Sequence, residues 1–385
     1  MRESSARSRG MTILLTACMA LPVSFVVTSQ SARAAIAASP ALASSHSSPV
    51  SLEAISCPTA SVCTAVGGET NGSNATPAVI LRTTDGGKIW VRQTPPTEIL
   101  GLTTISCPTV AFCLATGGPF QRFGSFDTVT TSDGGATWRE TMGTGYEAYV
   151  DTVDCRSPVS CYAEGVASSW GRGTSGVALL HTSDAGMTWS TLALPEGKES
   201  GSTPDVSLAC PTATTCYVAR AIGSTSEFDV FKSADGGRTE TTVLRHVAGV
   251  ADTPIGIACW TARACMVVGA GKGARVLVTS AGGAHWVSRP LPRGALDGVG
   301  VQCPTPKRCV VIATTLSGVL AARTSNAAVT WATSAVAAFW PVVAAWVVGP
   351  DCATATTCRV LVQTNTPAWY AMADQGAKWK RVSIP

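Results

Sequence analysis

Ile55 to Gly67 reads ISCPTASVCTAVG, and Ile105 to Gly117 reads ISCPTVAFCLATG. In both, two cysteines are separated by five residues, and a short apolar, β-prone run lies on either side. Reading outward from them, the same pair occurs seven times: Cys57/Cys63, Cys107/Cys113, Cys155/Cys161, Cys210/Cys216, Cys259/Cys265, Cys303/Cys309 and Cys352/Cys358. Successive first cysteines lie 44 to 55 residues apart. A sustained period of that length marks a repeat array whose units bury their faces only against one another.

A second motif keeps the same phase. It reads TTDGGKIW from Thr83, TSDGGATW from Thr131 and TSDAGMTW from Thr182. It then departs to SADGGRTE from Ser233, TSAGGAHW from Thr279, TSNAAVTW from Thr324 and MADQGAKW from Met372. The Asp position falls 22 to 29 residues after each first cysteine. Each unit also holds four short β-prone runs divided by turn signals, with no long helical period. In the first unit these are Leu52 to Cys57, Cys63 to Val66, Ala78 to Thr83 and Trp90 to Gln93. Four strands per unit is the blade pattern of a propeller.

The S/T-x-D-x-G-x-T-W pattern resembles the Asp-box, or BNR, repeat of sialidase-like β-propellers. Seven copies resemble the propellers of photosystem II assembly factors and of secreted BNR-repeat proteins, and the paired cysteines resemble secreted bacterial members. The resemblance covers Val50 to Pro385 and implies an all-β fold, a seven-bladed β-propeller of four-stranded antiparallel blades. It bears on fold far more than on ligand, since one fold hosts many functions.

Composition narrows the function classes. Charged residues make up 14% of the 385-residue chain and hydrophobic residues 45%, which does not describe a disordered chain. A net charge of +4 with no long basic run gives nucleic-acid binding no electrostatic support. At the N-terminus, Arg2, Arg7 and Arg9 precede an apolar run from Met11 to Val27 and then small residues. That order reads as a secretory signal peptide over residues 1–37, with an Ala/Ser-rich lead-in over 38–49 and the propeller over 50–385. Leu15-Thr16-Ala17-Cys18 also resembles a lipoprotein box, but the apolar run continues past Cys18. An uncleaved anchor is a further minority reading. Removing Cys18 from the fifteen cysteines leaves fourteen, the even number an exported disulfide framework requires.

Zinc, dithiol redox chemistry and structural disulfides compete for those fourteen. The four histidines are scattered, and five intervening residues suit neither zinc spacing nor a C-x-x-C redox pair. A five-residue turn such as PTASV sets its flanking cysteines side by side across a hairpin. The expectation is therefore one disulfide within each unit, with no metal and no cofactor. Asp85, Asp133, Asp184, Asp235 and Asp374 invite a catalytic or calcium reading. One per unit, they cannot converge, and the expectation is that they brace turns while the following Trp packs between blades. The loss of Asp at Ala281 and Asn326 fits an element that tolerates decay.

The loops opposite the cysteine turns and Asp boxes carry the sequence irregularity, and binding concentrates in such loops. On units two to four they hold Phe120, Arg122, Phe123, Tyr146, Glu147, Tyr149, Trp170 and Arg172, an aromatic and arginine set typical of recognition anchors. These are the candidate ligand-binding residues; ordinary loop packing is the competing reading. The expected function is an exported, non-catalytic, monomeric propeller that binds a protein or glycan at the cell envelope or outside the cell. The alternative is a carbohydrate-active enzyme, a sialidase-like glycosidase or lyase using that same loop face. Sialidases resemble this chain in the Asp box, but usually have six blades and an Arg-Ile-Pro motif that is missing here, and Arg82, Arg122, Arg172 and Arg220 fit no arginine-triad motif. Two segments stand apart. Ala335 to Val348 is apolar but short and broken by Pro341, so it reads as the end of one blade and the inner strand of the next. Trp260, inside a cysteine turn, has no account at this level.

Overall fold

The computed structural model describes residues 50–69, 77–97, 99–117, 126–142, 147–169, 174–193, 206–221, 228–245, 253–270, 275–338, 346–363, 369–374 and 378–384. They form four-stranded antiparallel sheets over 50–93, 102–142, 147–193, 206–244, 253–290, 298–338 and 346–383. In each sheet the strand order equals the chain order, so every blade of the propeller comes from one contiguous stretch. The blades are numbered here one to seven in that sequence.

In blade one the strands are Val50–Ser56, Cys63–Glu69, Ala78–Thr83 and Val91–Gln93. The first two pair over a longer stretch than the apolar pattern suggests, because Gly67 lets the strands close up. A Cβ on Gly67 would sit 1.9 Å from the Ser51 carbonyl oxygen. Cys63 to Gly68 and Ala78 to Thr83 are buried at every position rather than alternately. A blade with a neighbour on each face has no solvent side, and its middle strands are accordingly apolar at most positions, with Thr64, Arg82 and Thr83 the buried polar exceptions.

The core is a set of seams. Leu52, Leu81 and Trp90 of blade one pack with Val348 and Leu361 of blade seven. Val66 and Ile80 meet Leu102, Val129 and Trp138 across the next seam, and Leu114 and Phe126 meet Val150, Leu180 and Trp189 across the one after. Tyr162 and Leu179 meet Leu208 and Val218, and Tyr217 and Val230 meet Val267 and Leu277. Met266 and Val278 meet Val311 and Ala328, and Val310 and Ile312 meet Val360 and Val362. Polar bonds also join the last blade to the first: Asp351 Oδ2 accepts the Cys57 N–H at 2.7 Å, and Arg359 Nη2 donates to the carbonyls of Ala60 and Gly86. Among the described residues, blades one and seven exchange no strand.

Each cysteine pair forms a disulfide inside its own unit. The bridges are Cys57–Cys63, Cys107–Cys113, Cys155–Cys161, Cys210–Cys216, Cys259–Cys265, Cys303–Cys309 and Cys352–Cys358, as the spacing predicts. They close the turn between inner and second strands, and such a set of disulfides belongs to an oxidising, extracytoplasmic environment. The apolar stretch from Ala335 divides as its sequence suggests, between the outer strand Ala332–Ala338 and the inner strand Trp346–Thr354; residues 339–345 lie outside the described ones. No helix among the described residues is long and apolar enough to cross a membrane.

Candidate functional site

The inner strands surround a cavity of about 400 Å³ on the propeller axis. Its floor is made by the residue that precedes each first cysteine: Ser56, Ser106, Asp154, Ala209, Ala258, Gln302 and Asp351. Four of these bond across a seam. Ser56 Oγ accepts the Cys107 N–H and Ser106 Oγ the Cys155 N–H, each at 3.0 Å. Asp154 Oδ2 accepts the Cys210 N–H at 2.8 Å, and Asp351 does the same for Cys57. The serine in ISC is thus an inter-blade lock, a role visible only once the neighbouring blade is in place. Burial pushes the Asp351 carboxyl up to about 6 and raises that of Asp154, which Arg156 pulls back from 3.3 Å. The two acidic positions belong to blades three and seven, and the two alanines to blades four and five.

The cysteines belong to the scaffold rather than to a site. Cys63, Cys113, Cys161 and Cys216 open the second strands of their blades, and Cys265, Cys309 and Cys358 occupy the second position of theirs. All seven are buried. Each sulfur is bonded to its partner across the turn, which leaves no free thiolate for a metal or an exchange reaction at these positions.

The Asp boxes stand on the face shared with the disulfide turns. Gly86 N–H donates to Ser61 O, and the equivalent bond recurs from Gly134, Ala185, Gly236, Gly282 and Ala327. Inside the box, Thr83 Oγ1 donates to Asp85 Oδ1 and accepts from Gly87 N–H, while Asp85 Oδ1 takes the N–H groups of Lys88 and Ile89. The Ile89 N–H is the main cause holding the Asp85 carboxyl below its usual range. The Thr137 hydroxyl and N–H do so for Asp133, and the Thr239 pair lowers Asp235 to about 2. At Asp184 burial acts upward, but the Thr188 hydroxyl and N–H outweigh it. These carboxylates accept turn hydrogen bonds, each in its own blade. Asp374 ends the strand Trp369–Asp374, and its side chain lies outside the described residues.

The decay expected at Asn326 is not what the box shows. Asn326 Oδ1 accepts from Thr324 Oγ1 and Thr330 N–H, and its Nδ2 adds a bond to Thr330 Oγ1, so the amide reproduces the carboxylate's contacts. At Ala281 only the threonine bonds survive, from the N–H groups of Ala281 and Gly283 to Thr279 Oγ1. The box tryptophans reach the preceding blade. Trp138 Nε1 donates to Gln93, Trp331 Nε1 to the Pro290 carbonyl and Trp379 Nε1 to Ser334, while Trp189 sits edge-on to Phe126 at 5.6 Å.

The described arginines of the sequence reading are tied into seams. Arg82 donates to Thr64 Oγ1 and to the Val110 carbonyl of blade two. Arg220 lies between Glu164 and Glu240. Position one after the second cysteine serves the same purpose elsewhere: Tyr162 OH donates to Ala213 O, Tyr217 OH to Ala262 O, and Arg359 to blade one. That position looks unrelated from unit to unit, and its only signal is a large polar residue at the start of an otherwise apolar strand. Trp260 is half-buried on the inner strand of blade five and packs on the core shared with blade six, which gives it a packing role.

Of the candidate ligand-binding residues, Phe120, Arg122, Phe123, Tyr146, Trp170 and Arg172 lie outside the described residues. Glu147 and Tyr149 fall on the inner strand Glu147–Cys155, in register with Ser168 and Val166; their side chains are not among those described.

No protein-family model matches the chain, and no curated protein does. Solved structures do. One is "YCF48 bound to D1 peptide", at 13% identity and a TM-score of 0.53, covering 88% of this chain and 95% of that one. A second is the Pyrococcus horikoshii acylaminoacyl peptidase, at 9% identity and a TM-score of 0.58, covering 87% of this chain but 52% of that one. The Hadza microbial sialidase Hz136 matches at 10% identity and a TM-score of 0.48, over 75% of this chain and 65% of its own. At these identities the first two likenesses establish the fold and nothing finer, and the chain has the fold of a β-propeller.

Proposed function

We propose that this chain is an exported, seven-bladed BNR/Asp-box propeller that binds a protein or glycan without transforming it. In this reading residues 1–37 direct export, 38–49 are a lead-in and 50–385 form a monomeric propeller working at the cell envelope or outside the cell. The supporting observation is the fate of its charged groups. Arg82, Arg220 and Arg359 are committed to seams, and Asp85, Asp133, Asp184 and Asp235 to turns, so these groups serve the scaffold rather than a substrate. The YCF48 structure, with its bound peptide, is a propeller of similar extent engaging a polypeptide. The binding surface we assign is the loop face carrying Phe120, Arg122, Phe123, Tyr146, Glu147, Tyr149, Trp170 and Arg172.

The test is a screen of residues 38–385 against glycan and peptide arrays, repeated with Phe120, Tyr146 and Trp170 changed to alanine. The reading expects a hit that the triple variant loses. Retained binding would remove the loop face from the assignment, and turnover of a fluorogenic glycoside would replace binding with catalysis.

A further inference from the structure

Blade four lacks the box tryptophan: SADGGRTE places Glu240 where the other boxes have Trp. Glu240 meets the guanidinium of Arg220 in a two-pronged contact, Nη1 to Oε2 at 3.1 Å and Nη2 to Oε1 at 3.0 Å. On its other side Arg220 Nε bonds Glu164 Oε1, from the second strand of blade three, and the guanidinium carbon lies 4.5 Å above the Phe231 ring. Glu164 is fully buried, and its Oε2 has no hydrogen-bond partner among the described residues. Among the described residues, the apolar cluster at this seam is also the smallest. A salt cluster here replaces the aromatic wedge used by the other boxes.

We infer that the seam between blades three and four is a proton-dependent latch, closed when Glu164 carries a proton and loosened when that proton is lost. The cluster holds one cation and two carboxyl groups, and Asp151 on the inner strand of blade three adds a further negative field. Arg220, Glu240 and Asp151 are the charged groups acting on Glu164. Glu240 takes both terminal nitrogens of the guanidinium. The bare Oε2 of Glu164 is where a proton is held, since a buried carboxylate with one oxygen unsolvated is strongly disfavoured. Burial accordingly pushes Glu164 up to about 8, with Arg220 opposing and Glu240 and Asp151 reinforcing the rise.

The sign follows from linkage. A Glu164 released to solvent titrates near its ordinary 4.5, and the closed seam holds its proton up to about 8. Between those values the closed form binds a proton that the open form has lost, so opening grows easier as pH rises and levels off above the window. Opening of this seam is expected to increase by about tenfold per pH unit across the window.

Native-state hydrogen exchange on the full propeller, corrected for intrinsic rates, reads this directly at the amides of Leu179 and Val218. Their protection should fall about tenfold per pH unit from pH 5.5 to 7.5, while amides at the seam between blades five and six hold steady. In Glu164→Gln, which keeps shape and an acceptor, the pH dependence should vanish. Infrared spectra at pH 7 should also show a protonated carboxyl band in the native chain that titrates away above pH 8 and is missing from Glu164→Gln. Equal pH response at all seams, an unchanged slope in Glu164→Gln, or no such band at pH 7 would overturn the inference.

Discussion

Blade six writes its box as SNAAVTW, and the two alanines take the backbone conformation that glycine takes elsewhere. Ala327 has φ 54° and Ala328 φ 65°, where the glycine pairs of the other boxes lie between 73° and 91°. An L side chain in this region costs about 1–2 kcal/mol, whereas glycine enters it freely but loses about 0.5–1 kcal/mol more chain entropy on folding. For Ala327 the balance favours glycine by about 1 kcal/mol, because its methyl is only partly buried and its N–H bond to the Lys307 carbonyl is a backbone contact that glycine keeps. Ala328 is 2% exposed, and its methyl fills the seam with blade five. Removing a buried methyl costs about 1 kcal/mol, which cancels the conformational gain.

The expected result is that Ala327→Gly raises stability by about 1 kcal/mol while Ala328→Gly leaves it nearly unchanged. Urea unfolding of the oxidised protein, followed by tryptophan fluorescence, separates the two by midpoint, with the slope unchanged. The mirror experiment is Gly135→Ala in blade two. There the added methyl is strained at φ 84° and meets Gln93 Oε1 at 2.2 Å, displacing the acceptor of Trp138 Nε1. That variant should lose stability by more than Ala327→Gly gains. A lower midpoint for Ala327→Gly, or equal gains at both alanines, would refute the balance of strain against burial.

Four further outcomes follow from the seams and staples. Asp351 titrates at about 6 instead of 3.8, so folding stability should fall as pH rises from 4 to 6; thermal melts of Asp351→Asn should lose that slope. At pH 5, Asp351→Ala should cost about 1–3 kcal/mol by stranding the Cys57 N–H, and a loss no larger than that of Asp351→Asn would count against the lock. Replacing Cys352 and Cys358 together by serine should cost roughly 2 kcal/mol in urea, from the short loop closed, and non-reducing peptide mapping should find no link between units. Arg359→Met should weaken the seven–one seam, seen as faster hydrogen exchange around Ala60 and Gly86, with the seam between blades five and six unaffected.

Much of this fold is written locally. The cysteine turn and the Asp box are each complete within about ten residues, and counting their phase placed blade one's strands to within three residues at each end. What the sequence hides is the set of contacts between units. Ser56 is an unremarked serine until Cys107 of the next blade donates to it, and Arg359 looks like a surface charge on an apolar strand until blade one closes over it. Arg82 and Arg220, which fit no arginine-triad motif in the sequence, are seam residues whose role is hidden in the same way. Their partners, Val110 and Glu164, lie in neighbouring units, where no local pattern points to them.

Departures from the repeat consensus therefore have to be read against the neighbouring blade. Asn326 breaks the Asp box in sequence and keeps it in geometry, since an amide oxygen accepts the same N–H and hydroxyl. Glu240 keeps the box turn, whose Asp235 still accepts from Ser233 and Thr239, but removes the aromatic wedge, and that loss is met by Arg220 on its own blade and Glu164 on the preceding one. A carboxylate at that position has no value alone, because a buried unpaired charge costs far more than a missing ring. Its presence requires the arginine, and the arginine, already paired twice over, leaves Glu164 holding a proton. The substitution that looks most like erosion thus carries the most chemical information in the array. It gives the seam between blades three and four a pH response that reaches about 8, above the range of Asp351 at the seam between blades seven and one.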